Sequence, residues 1–159
     1  MTRRFTAKRL SWVLLSILAG WSTGFAQDNP VSVRIEAYIV SQVTADDGSV
    51  TERFSESETA RPGQVVEYRV FATNNDATTL PAESVSVLGP IPESSTYVDG
   101  SATSTSERVR TEFSLDGETF STAPETTEGP SAYRAVKWTL LVPLEPGQEE
   151  RFVYRVTIN

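Results

Sequence analysis

Cysteine and histidine are both missing from the 159-residue sequence. Without cysteine no disulfide can brace the fold, so packing alone must hold it, and a cysteine-anchored lipoprotein is excluded. Without imidazole or thiolate, zinc and copper centres built on those ligands are excluded too. Only hard cations with oxygen ligands, such as calcium, remain open. A serine nucleophile would lack its usual base. Lysine is nearly as scarce: beyond Lys8 there is only Lys137, beside Trp138 in the middle of a strand pattern. Alternation there turns Lys137 toward solvent and away from a Ser-Lys dyad. No glycine-rich phosphate cradle is present. With 21 acidic residues some carboxylate pair is inevitable, so acid abundance does not single out a glycosidase-like site.

Excess basic charge is missing as well. The chain has 14 basic against 21 acidic residues, a net charge of −7. Such a surface repels nucleic acid and anionic membrane, which require a basic patch. Its ordinary consequence is solubility.

Long apolar runs are confined to the first residues. Arg3, Arg4, Lys8 and Arg9 form a basic head, Trp12 to Ala19 is apolar except for Ser16, and Gly24-Phe25-Ala26 precedes Gln27. That order matches the head, core and small-residue cleavage site of a secretory signal peptide. The apolar core is too short for a membrane span, which needs ~20 residues. Residues 1–26 are therefore read as a signal-peptide helix for the general secretory route. The protein is expected in the periplasm or at the cell surface, with no membrane span in the mature chain. Residues 27–159 remain as one domain of 133 residues, with 10 basic and 21 acidic residues.

From residue 31 onward the apolar period is two, the mark of half-buried strands. Val31, Val33 and Ile35 begin a run that continues to Val43, and Asp46-Asp47-Gly48 supplies a turn before Val50 to Phe54. Ser55 to Ala60 reads as loop. Pro62-Gly63 opens the strongest strand, with Val66, Tyr68, Val70 and Ala72 on one face. Val85 to Val87 is expected to stop at Gly89-Pro90-Ile91-Pro92, where prolines remove ladder donors. Asp116-Gly117 lies between Phe113–Leu115 and Thr119–Phe120, a hairpin signal. Two more runs, Ala135 to Val142 and Phe152 to Ile158, close the chain. Seven or eight such strands predict an all-β, immunoglobulin-like sandwich. Pattern alone does not separate it from a closed barrel.

The ordered set of motifs resembles the conserved-repeat domain of bacterial surface proteins, catalogued as domain of unknown function eleven. It comprises Pro62-Gly63 with Val66 to Val70 and Thr73-Asn74-Asn75, then Ile91-Pro92 and Thr96-Tyr97-Val98-Asp99-Gly100-Ser101. The Phe113 to Phe120 hairpin follows, then Val136 to Leu140, Leu144 to Gly147 and Phe152 to Val156. The likeness covers residues 58–159. It implies an Ig-like sandwich in exported envelope or surface proteins, with no established catalytic role. The chain differs in carrying one copy and in adding residues 31–54 ahead of it.

No catalytic, cofactor-binding or metal-ligating residue is nominated, and neither a cofactor nor an enzymatic activity is expected. Asp46, Asp47 and Asp76 lack the alternate spacing of a calcium loop and read as turn residues. Trp138 reads as a core anchor. The favoured function is a non-enzymatic structural or interaction module of the cell envelope. It would bind an envelope protein or polysaccharide through loops or an edge strand. An alternative is a soluble periplasmic assembly accessory, either a pilus-like subunit or a strand-donating chaperone; a further one is a carboxylate-based hydrolase. Val31 to Val43 is expected either to complete the domain's own sheet or to exchange with a neighbour. In the first case Arg34, Glu36 and Arg61 would blunt the edge.

Overall fold

Period-two alternation pays off in β3 (Val65–Asn74), where Val66, Val70 and Ala72 are buried between neighbours that face outward. The structure is a computed structural model describing residues 30–56 and 59–159. The expected signal-peptide helix lies outside the described residues. Among the described residues there are eight strands and one short 3-10 turn, Gly129–Ala132.

The strands form two antiparallel sheets, giving the β-sandwich that the alternation predicts rather than a closed barrel. One sheet has five strands in the order β2 (Val50–Glu56), β1 (Val31–Thr44), β3, β8 (Glu149–Ile158), β5 (Ser95–Tyr97). The other has three, in the order β4 (Ser86–Pro90), β7 (Ala135–Leu140), β6 (Val109–Ser114). Trp138 of β7 is fully buried and stacks on Phe152 of β8 with centroids 5.2 Å apart. Its indole N–H donates to the Thr103 carbonyl at 3.2 Å, so the one polar atom of this anchor is satisfied. Tyr154, Leu140 and Leu144 are also fully buried; each such side chain contributes about 1.5–3 kcal/mol.

Residues 31–40 of β1 pair with Asn74 back to Val65 of β3, so this long strand completes the domain's own sheet. Its far half, Tyr38 to Thr44, pairs with β2 around the Asp46-Asp47-Gly48 turn. There the Asp47 carboxylate accepts from the Ser49 amide and hydroxyl at 2.9 and 2.7 Å.

Three details depart from the sequence reading. β2 runs on through Glu56, because β1 is long enough to offer Tyr38, Ile39 and Val40 as partners to Glu56, Ser55 and Phe54. β4 runs through Gly89 and Pro90, because a proline nitrogen that faces away from the ladder removes no bond. Asp116-Gly117 does turn the chain, with Gly117 at φ 82°, yet the arm it returns is a single bridge between Phe113 and Ser121. β6 takes its full ladder from β7 instead.

Candidate functional site

The two sheets differ in width, and that difference leaves a step at one side of the sandwich. Tyr97 of β5 meets Phe113 of β6 at 5.5 Å, Trp138 of β7 meets Phe152 of β8, and β4 packs on β3. The second sheet therefore ends above β3, and no described strand covers the inner face of β1. Register with β3 places Val31, Val33, Ile35 and Ala37 on that inner face. Val31 is packed against the core, but Val33 and Ile35 remain 52% and 47% exposed. A cleft of about 300 Å³ lies along this step, between Val33 on one side and Val85 and Ser86 on the other.

Backbone parity shows which groups β4 turns toward the step. The Leu140 amide donates to the Val85 carbonyl, and the Ile91 amide donates to the Arg134 carbonyl. Odd-numbered residues of this segment thus bond to β7. The N–H and C=O groups of Ser86 and Leu88 consequently point outward, as alternation in an antiparallel ladder requires. At Pro90 the outward nitrogen carries no hydrogen, and the carbonyl accepts from the Tyr154 hydroxyl at 2.6 Å. From Val85 to Pro90 the edge carries no charged side chain, unlike β2 and β6, which carry charged side chains along their lengths.

The outer face of the five-stranded sheet is occupied by its own charges. Glu67, 6% exposed, accepts from Arg69 at 2.8 Å and from Arg155 at 2.9 Å. Arg155 also grips both oxygens of Glu52, and that contact holds the Glu52 carboxyl below its ordinary range and the guanidinium above its own. Arg69 lies over Tyr38 at 4.2 Å and over Phe54 at 4.9 Å. Arg34 lies over Phe71 and pairs with Glu36, while Arg61 donates its amide to Gln64. Most charges of this face are matched internally, although Arg151 of β8 and Glu56 of β2 form no ion pair among the described residues.

A second cleft, about 250 Å³, has Tyr97, Phe113 and Tyr133 along its wall. Several of its hydroxyls are engaged, while the Asp99, Ser104, Thr122 and Tyr133 side chains on its lining form no hydrogen bond among the described residues. The Thr111 hydroxyl donates to the Thr103 carbonyl, the Thr103 hydroxyl accepts from the Val153 amide, and the Thr105 hydroxyl accepts from the Thr111 amide. Desolvation raises the Tyr97 phenol above its ordinary pKa.

The other residues weighed from the sequence are dispersed. Lys137 is on the outer face of β7, where Glu112 holds it at 2.9 Å and the Phe120 ring lies at 4.7 Å. Asp46 and Asp47 sit at the tip of the β1–β2 turn, and Asp76 accepts from the Thr78 amide in a separate loop. Among the described residues no three Asp or Glu side chains gather as a metal site, and no helix is long and apolar enough to cross a membrane. Sequence reasoning missed the outward groups of Ser86 and Leu88 and the uncovered Val33 and Ile35. The alternation of Val31, Val33 and Ile35 signals an inward face but carries no information on whether a second sheet reaches it.

No protein-family model, curated protein or solved structure matches the chain.

Proposed function

We propose that this protein is an exported, non-enzymatic interaction module of the bacterial cell envelope that engages another protein along the β4 edge. One observation carries the use of an edge: a five-stranded sheet facing a three-stranded one, with Val33 and Ile35 left exposed at the step. Apolar residues on an inner sheet face are a recognised mark of a docking surface. Export rests on the basic head, apolar core and Gly24-Phe25-Ala26 of the leading segment. Membership of the conserved-repeat domain family is part of the same proposal and rests on the ordered motifs of residues 58–159.

The open step also supports the second reading, a periplasmic assembly accessory or pilus-like subunit, since such components exchange strands. Cell fractionation followed by crosslinking tests the proposal. Recovery in an envelope fraction with a crosslinked protein partner is the expected result. A freely diffusing monomer without an envelope partner overturns it.

A further inference from the structure

The geometry points to a strand acceptor: the step between β4 and β1 takes one extended, apolar-alternating peptide strand with basic ends, donated as a fourth strand to the three-stranded sheet. This deepens the edge-binding reading and rests on it.

The shape of the step selects a single strand over another sandwich. Strands lie about 4.8 Å apart within a sheet and packed sheets about 10 Å apart. β1 and part of β2 extend beyond β4, so one added strand fits directly above β1. A second copy offering its own β4 would bring an overhanging β1 with it. That strand would have to occupy the space already held by β3 and β1 of the first copy.

Hydrogen bonding fixes how much of the strand is held. Ser86 and Leu88 offer two N–H and two C=O groups, and Pro90 ends the ladder because its carbonyl is taken by Tyr154. About five residues of donor strand span that edge. Val33 and Ile35 are two residues apart on one face, so donor side chains at alternate positions fall on them. Between those contacts the floor and the edge hold no charge. At the two ends of β4, Glu83 and Glu93 are exposed and form no ion pair among the described residues. Together with the net charge of −7 they favour a donor with lysine or arginine at its termini.

The test uses a capped synthetic peptide of sequence lysine–threonine–valine–threonine–valine–threonine–lysine, titrated into isotopically labelled mature protein and followed by NMR. Shifts concentrated at Ser86, Leu88, Val33 and Ile35 are expected. Leu88→Pro removes one outward N–H without touching the β7 ladder and should weaken binding roughly tenfold, as loss of one hydrogen bond to a desolvated partner does. Ile35→Lys charges the floor and should weaken binding at least as much. Replacing the terminal lysines by glutamates should weaken it several-fold at low salt and less at high salt. Unchanged melting of both variants shows that they fold.

Absence of binding, shifts centred elsewhere, or full affinity in folded Leu88→Pro overturns the proposal. So does a photo-crosslinker at Leu88 that joins two copies of this chain. In cells, an envelope protein captured by a photo-crosslinker at Glu128, exposed just before the Gly129–Ala132 turn, but not by one at Leu88, overturns strand acceptance while the envelope reading stands. Peptide binding with no envelope capture from either position has the reverse meaning.

Discussion

Arg155 of β8 donates to both carboxylate oxygens of Glu52 of β2, at 2.7 and 2.8 Å, although β1 and β3 lie between their strands in the sheet. Glu52 and Phe54 share the outer face of the sheet with Arg155, and the Phe54 ring lies 5.9 Å from the Arg155 guanidinium. It ties the β1–β2 hairpin to β8.

That tie has a pH signature. Glu52 has a folded pKa lowered from its ordinary 4.5, chiefly by hydrogen bonds from Arg155. Its contribution is present above 4.5 and disappears as the pH falls through the lower folded value. Glu52→Gln should therefore be less stable than the parent at pH 7, with the gap closing toward pH 3. Urea midpoints at the two pH values measure this. Salt near 1 M should also narrow the gap at pH 7. A gap that stays constant with pH would remove the ion pair as its cause.

Gly89 lies beneath the ring of Tyr154. A Cβ there would approach Tyr154 Cε1 to 2.7 Å and two Trp138 ring atoms to 3.0 Å. Gly89→Ala should destabilise by about 1–3 kcal/mol, the usual cost of overpacking a core. Leu88→Ala, one residue away and exposed, should change stability by less than about 0.5 kcal/mol. Chemical denaturation of the pair separates local crowding from a general weakness of β4.

Asn74 is fully buried at the end of β3 and organises the loop beside the step. Its amide nitrogen donates to the Thr78 and Leu144 carbonyls, both at 2.9 Å, and its oxygen accepts from the Asp76 amide at 2.9 Å. Asn74→Ala should cost about 2–3 kcal/mol through the backbone groups left without partners. Hydrogen exchange should show the loss first at the Asp76 amide.

Export predicts a defined mature terminus. N-terminal sequencing of the secreted or periplasmic product should begin at Gln27, and Ala26→Arg should leave an unprocessed precursor. A product that retains Trp12 to Ala19 in the wild type would instead indicate an uncleaved leader.

The sequence by itself determined the class of the fold and the classes of chemistry closed to it. The alternations in β3 and β8 are strong because these strands bury chiefly one face each, and a period of two records that directly; β7, central in its sheet, also buries Ala135 and Thr139 on its outer face. Absent histidine and cysteine close off imidazole and thiolate chemistry in any fold. Turns at Asp47-Gly48 and Asp116-Gly117 were legible because positive φ demands particular residues. Which face of β1 would be covered was not legible. Val31, Val33 and Ile35 look alike in sequence, yet only Val31 packs against the core, because the width of the opposing sheet depends on how distant segments distribute between two layers. The ladder parity of β4, the return of Glu52 to Arg155, and hence the open step were likewise decided only in the tertiary structure. Each depends on pairing between residues far apart in the chain, and no local pattern encodes such pairing.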